Sequence, residues 1–271
     1  MHKKISFIVI MFLLVGFLSL PGSANASHSW GGYHWARTSN PFTLKLGDNM
    51  SSTWDTHLST ASVDWTASSV LNTSVVSGLS NPKNCRATLG RVEVCNSKYG
   101  NNGWLGIAQI WITGGKHITQ GVTKMNDTYF NTSTYNTPAW KQFVVCQEVG
   151  HTFGLDHQDE NFGNANLGSC MDYTNDPDGG VGGASATDPS NEHPNTHDYA
   201  QLGTIYTHLD SITTILSSAP SKKGNALPEN LENRLEWGRS VRQDLQGRDN
   251  VFVRDLGRGE KVLTHVFWAQ E

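Results

Sequence analysis

Charged residues are scarce in this sequence of 271 residues, of which Asp, Glu, Lys and Arg make up 16%. Lys and Arg number 20 against 24 acidic residues, so the formal net charge is −4. An acidic balance argues against a nucleic-acid partner, which would require a basic stripe. The abundance of Gly, Asn, Ser and Thr is typical of a globular, loop-rich extracellular protein rather than a disordered one.

The sequence has only one long apolar run, residues 5–20, and it lies near the amino terminus. Two lysines precede this run, and Ala24-Asn25-Ala26 supplies small residues after it. The pattern is typical of a secretory signal peptide, and we predict cleavage after Ala26. An uncleaved membrane anchor is the alternative, but the run is short for that role. We therefore expect a secreted protein that has no stable membrane anchor once residues 1–26 are removed.

Cysteine is also sparse, with four residues in the chain: Cys85, Cys95, Cys146 and Cys170. No C-x2-C spacing is present, so a structural zinc held by thiolates is not expected. An even number of cysteines in an exported chain predicts disulfides. We expect Cys85 to pair with Cys95 and Cys146 with Cys170, although four cysteines allow three pairings and the sequence alone does not choose among them.

Hydrophobic periodicity predicts both strands and helices, and therefore an α+β fold. Alternation typical of strands covers residues 33–37, 42–46, 91–94 and 105–113, and helical spacing covers 53–67, 138–151 and a stretch from Asn195 to Ile212.

The composition also predicts where the chain divides. We expect a main domain over residues 27–216 and a linker over 217–230, where Ser, Pro, Lys and Gly follow no periodicity. Residues 231–271 contain three alternating segments separated by glycines, which predict a small three-stranded β unit. The sequence leaves open whether this unit docks on the main domain or forms a separate module.

Residues 147–157 read Gln-Glu-Val-Gly-His-Thr-Phe-Gly-Leu-Asp-His and carry the candidate chemistry. On a helix, Gln147 and His151 lie one turn apart on the same face and can share a metal. Glu148 lies beside them, where its carboxylate can accept a proton from water at the metal. Gly154 can end the helix, so that His157 approaches the same metal from outside. Two or three protein ligands with one open position are typical of a catalytic zinc site.

This segment resembles the signature of the metzincin metalloproteases, H-E-x-x-H-x-x-G-x-x-H. This signature is matched at Glu148, His151, Gly154 and His157. The amino-acid sequence of residues 150–157 most resembles the matrixin branch. Downstream, Ser169-Cys170-Met171-Asp172-Tyr173 resembles the S-x-M-x-Y Met-turn of the astacin and serralysin branches.

The resemblance covers residues 30–216 and is strongest over 138–173. It implies a metzincin-like catalytic domain, with a twisted mixed sheet, an active-site helix and two further helices. It also implies one catalytic zinc, a protein or peptide substrate, and a protein that acts as a monomer.

The resemblance further assigns roles to three residues. Glu148 would act as the general base that takes a proton from water and passes it to the leaving amine. Tyr173 would stabilise the developing oxyanion, although a packed aromatic after a turn is the alternative for that residue. Met171 would form a hydrophobic floor below the metal without ligating it.

One departure from the signature concerns the first zinc histidine, which is Gln147 here. An amide oxygen is a weaker zinc ligand than an imidazole, so the metal affinity should fall. Three outcomes stay open: Gln147 ligates weakly in a working enzyme, water replaces it, or the site is inactive. A disulfide between Cys146 and Cys170 would tie the metal helix to the Met-turn and partly offset the weaker ligand.

Weaker candidates for metal binding are also present. Asp172, Asp176 and Asp178 with the adjacent Gly179 and Gly180 could hold calcium, but their spacing does not match an EF-hand and a solvated loop is the default. Six other histidines lack paired metal spacing and are expected to lie in the core or at the surface: His34, His117, His193, His197, His208 and His265.

Two functions therefore compete. The first is a secreted zinc-dependent endopeptidase. The second is a catalytically inactive secreted binding protein on a metzincin scaffold, which rests on Gln147 and on the aromatic residues Phe252, Phe267 and Trp268 of the carboxy-terminal unit.

Overall fold

The computed structural model describes residues 28–180, 186–215 and 233–270. The helices are Asp55–Thr66 (α1), Asp127–Phe130 (α2), Pro138–His151 (α3) and Thr196–Ile205 (α4). The strands are His34–Trp35 (β1), Phe42–Asn49 (β2), Leu71–Ser77 (β3), Val92–Ser97 (β4), Trp104–Thr113 (β5), His117–Asn126 (β6), Arg239–Gln243 (β7), Asp249–Gly257 (β8) and Glu260–Trp268 (β9). The predicted α+β class is confirmed. The predicted signal peptide and the predicted linker lie outside the described residues.

The described strands form one mixed sheet in the order β3-β2-β4-β6-β5-β9-β8-β7, with β1 pairing beside β6. Strands β3, β2, β4 and β6 pair in parallel with their neighbours in this order. Strand β5 pairs antiparallel with both β6 and β9, and the pairs β9–β8 and β8–β7 are also antiparallel. Strands β3 and β6 were not predicted, because Asn, Thr and Ser in β3, and Thr, Gln, Gly and Lys in β6, interrupt the apolar alternation. The strand predicted over residues 105–113 is present as β5, which lies inside the sheet between β6 and β9.

Helix α3 begins and ends as the sequence predicts. Its first residue is Pro138, and Thr137 caps it by accepting a hydrogen bond from the backbone N–H of Trp140. Beyond its last turn, Gly154 has a φ of +93°. A Cβ at this position would lie 2.0 Å from the carbonyl oxygen of Tyr33, so only glycine lets the chain turn here.

Both predicted disulfides are confirmed, because Cys85 is bonded to Cys95 and Cys146 to Cys170. The second joins helix α3 to the segment that resembles a Met-turn. Two disulfides are consistent with an oxidising compartment. Among the residues that the structure describes, no helix combines the length and apolarity that crossing a bilayer requires.

Helix α4 begins as predicted but ends earlier. Asn195 and Asp198 form a capping box at its start. The prediction that helical spacing continues to Ile212 was wrong, since the helix ends at Ile205. The chain turns there because the Tyr206 hydroxyl donates to the carbonyl of Phe153, and because Asp210 pairs with Arg37.

The three strands predicted in the carboxy-terminal unit are present as β7, β8 and β9. They extend the main sheet, since β9 pairs with β5. In this pair Ala108 lies opposite His265. Phe267 of β9 is buried in the same apolar core as Phe143 of α3, with ring centroids 5.6 Å apart. Strand β9 is thereby packed directly beside the helix that carries the candidate metal ligands.

Candidate metal centre

Two imidazole rings meet at the end of helix α3. The Nε2 atoms of His151 and His157 lie 3.1 Å apart. The Nδ1 of His151 donates to the carbonyl of Leu155 at 3.0 Å, and the Nδ1 of His157 donates to a carboxylate oxygen of Glu160 at 2.8 Å. The turn at Gly154 brings His157 back toward the helix, as the sequence predicts.

These Nδ1 contacts determine the tautomers. A carbonyl and a carboxylate can only accept, so each Nδ1 carries a hydrogen and the two Nε2 atoms face each other. Burial lowers the pKa of His151 well below its ordinary value, and the neighbouring His157 lowers it further. Two lone pairs 3.1 Å apart repel each other unless a proton or a cation lies between them.

A third imidazole, that of His265, reaches the same place from strand β9. One ring nitrogen each of His151, His157 and His265 lies within 4.8 Å of the other two. The Nε2 of His265 is 3.1 Å from the Tyr173 hydroxyl, and its Nδ1 is 3.5 Å from a carboxylate oxygen of Glu148. Burial lowers the pKa of His265 well below its ordinary value, with a further contribution from His151.

Glu148 follows Gln147 on helix α3 and points toward strand β5. A Cβ at Gly106 of that strand would lie 2.4 Å from a carboxylate oxygen of Glu148, so glycine at 106 makes room for the side chain. Neither carboxylate oxygen has a hydrogen-bond partner, and the residue has no exposed surface. Burial raises the pKa of Glu148 well above its ordinary value.

The residues of the predicted Met-turn also lie here. The Tyr173 ring packs against that of His157, with centroids 4.2 Å apart, and burial raises the pKa of Tyr173 well above its ordinary value. Met171 is fully buried, and its sulfur lies 2.7 Å from where a Cβ on Gly150 would be. Met171 therefore packs against helix α3 at Gly150, the residue that precedes His151.

Gln147 lies one turn before His151 on helix α3, and its side chain is hydrogen-bonded to the segment that resembles a Met-turn. Its Nε2 donates to the carbonyl of Cys170 at 2.9 Å, and its Oε1 is buried without a hydrogen-bond partner. The Cys146–Cys170 disulfide adjoins both partners of this hydrogen bond. Gln147 thus braces helix α3 against the turn that carries Met171.

Charged groups surround His157 on its outer side. Arg242 of strand β7 pairs with Asp156 at 2.6 Å and with Glu160 at 3.1 Å. Burial alone would raise the pKa of Asp156, but the hydrogen bond and charge of Arg242 hold it at about 2. These ion pairs join the carboxy-terminal unit to the loop that carries His157.

Comparisons with known proteins find a similarity in structure but none in sequence. No family model matches the sequence, and no curated protein matches it. Among solved structures, the chain is similar to high choriolytic enzyme 1, a hatching enzyme zinc-protease from Oryzias latipes (medaka fish). The TM-score is 0.36 and the identity 12%, over 68% of this chain and 99% of that one.

The donor set fits zinc. Three buried imidazole nitrogens and a nearby carboxylate are ligand types that zinc prefers. The carboxylate of Glu148 and the Nδ1 of His265 are buried without hydrogen-bond partners. Such atoms are costly to bury unless a cation or a proton compensates them, which supports a metal ion among these residues.

Calcium has no comparable support. Among the described residues, the side-chain groups that could hold a cation do not include Asp172, Asp176 and Asp178. Asp172 instead accepts hydrogen bonds from the backbone N–H of Leu167 and from the amide of Asn191. Burial raises the pKa of Asp172 to about 7, which makes it a poor ligand for a hard cation.

The sequence alone does not indicate His265 as a ligand, because this residue shows no paired metal spacing with the other histidines. It lies 92 positions after Tyr173 along the chain, and only the pairing of β9 with β5 brings it here. The signal that could have found it is a histidine in the middle of the most apolar carboxy-terminal segment. A buried imidazole within such a strand needs a polar partner.

Proposed function

We propose that the chain is an exported, monomeric, zinc-dependent endopeptidase of the metzincin type that hydrolyses peptide bonds in protein or peptide substrates. The observation that carries this proposal is the convergence of the His151 and His157 Nε2 atoms, 3.1 Å apart, beside the buried carboxylate of Glu148. The resemblance to the metzincin signature and to the Met-turn supports the same interpretation.

His151 and His157 would hold the ion. Zinc supplies Lewis-acid chemistry, which polarises a carbonyl and lowers the pKa of water. Glu148 is the base, and a pKa raised by burial brings a carboxyl group closer to the pH at which it can both accept and release a proton. The Tyr173 hydroxyl stays protonated because burial raises its pKa, so it can donate a hydrogen bond to a developing oxyanion.

Access to these groups requires a rearrangement. Glu148, His151 and His265 have no exposed surface, and Tyr173 is 2% exposed. The proposal therefore includes an open state in which a peptide can reach Glu148.

The natural full-length protein should bind zinc and cleave casein, and removal of the metal with a chelator should abolish cleavage because the Lewis acid is lost. Zinc content by atomic absorption and release of casein fragments are the measurements. Activity should return when zinc is added back. Cleavage that survives complete removal of the metal would exclude the proposed mechanism.

A second candidate, an inactive secreted binding protein, is favoured by the complete burial of Glu148 and His151. The variant Gln147→His separates the two functions. For an endopeptidase that already works with Gln147, the change should alter kcat/KM for a fluorogenic peptide by less than about tenfold, the lower range for adjusting a metal's surroundings. Activity that appears in Gln147→His but is absent from the natural protein would establish the binding function instead.

A further inference from the structure

The carboxy-terminal strand β9 brings a histidine into the candidate metal centre. We infer that His265 is the third imidazole ligand of the metal, in the role that the sequence pattern places at residue 147. This inference rests on the proposed function for the identity of the metal. It makes the carboxy-terminal unit part of the metal centre.

The sheet register directs His265 toward helix α3. His265 lies opposite Ala108 in the antiparallel β5–β9 pair. Directly opposed residues point to the same face, and residues two apart on one strand share that face. Gly106, two residues before Ala108, contacts Glu148 on this face. The small residues at 106 and 108 leave space that Glu148 and the His265 ring occupy.

A bound cation would stabilise the buried ring nitrogens of His265. Its ring is fully buried, its Nε2 contacts the Tyr173 hydroxyl, and its Nδ1 has no hydrogen-bond partner. His151 and His157 point two further lone pairs into the same space, since their Nδ1 atoms donate elsewhere. A divalent ion bound by three imidazoles beside the Glu148 carboxylate compensates all of these atoms at once.

Ligand chemistry favours His265 over Gln147 as the third ligand. The Gln147 Nε2 donates to the carbonyl of Cys170 and its buried Oε1 has no hydrogen-bond partner, whereas a ring nitrogen of His265 lies within 4.8 Å of ring nitrogens of His151 and His157. An imidazole is also the stronger zinc ligand.

Zinc affinity of full-length variants, measured by competition with a chromophoric chelator, tests this inference. His265→Ala should weaken zinc binding on the order of 100-fold or more, at or above the loss typical for groups that only orient ligands. Gln147→Ala should weaken it by less than about tenfold. The matched control is His193→Gln, which removes an exposed imidazole that pairs with Asp64 and belongs to none of the described groups that could hold a metal. This control should leave the affinity unchanged.

A larger loss in Gln147→Ala or in His193→Gln than in His265→Ala would overturn the inference. X-ray absorption of the natural protein loaded with one equivalent of zinc gives a result that does not depend on how the variants fold. Three imidazole ligands are expected, and two would overturn the inference.

The two proposals fail separately. Three imidazoles without any peptide cleavage would contradict the proposed function and uphold the role of His265. Zinc-dependent cleavage with two imidazoles would uphold the proposed function and contradict the role of His265.

Discussion

Replacement of Glu148 by Gln should lower kcat/KM for peptide hydrolysis by about 10³-fold, within the range that a general base contributes. The amide keeps the shape of the side chain, which fits against Gly106 of strand β5. It cannot accept a proton from water at neutral pH. Hydrolysis of a fluorogenic peptide under kcat/KM conditions is the measurement.

Zinc content must be measured on the same sample, because the imidazoles of His151, His157 and His265 remain in this variant. Glu148→Gln should retain the metal, so the loss concerns the chemical step and not the ion. Glu260→Gln, a change of the same kind on strand β9, is the control and should keep full activity. A Glu148→Gln variant with more than about a tenth of the natural activity would show that Glu148 is not the base.

Gly154→Ala should lower the free energy of unfolding by about 3 kcal/mol or more, because of backbone strain and a steric clash. A residue with a side chain at positive φ is strained by about 1–3 kcal/mol, and Gly154 has a φ of +93°. The added Cβ would also lie 2.0 Å from the carbonyl oxygen of Tyr33, so the backbone must shift. Urea denaturation followed by circular dichroism measures the change.

The matched control is Gly203→Ala within helix α4, where an added Cβ meets no atom within 4 Å. This change should stabilise the protein by about 0.5–1 kcal/mol, because alanine is the better helix former. Since Gly154 sets the turn toward His157, Gly154→Ala should also weaken zinc binding. Equal stability of the two variants would show that the turn at Gly154 tolerates a side chain.

Local features near the site follow from the sequence because they depend on neighbours along the chain. The start of helix α3 at Pro138 and the turn at Gly154 need only residues within a few positions. The meeting of His151 and His157 is local in the same sense, since six positions and one turn join them. The capping box at Asn195 is a further case.

The sequence by itself determined an α+β chain with a short motif that presents two imidazoles and a carboxylate. The residue that supplies the third metal ligand could not be predicted, because the sequence pattern places that ligand at Gln147, one turn before His151 on the same helix. Only the tertiary structure ties Gln147 to Cys170 and carries His265 in on strand β9. The physical reason is that strand pairing joins segments far apart in sequence through backbone hydrogen bonds, which leave no local spacing to detect.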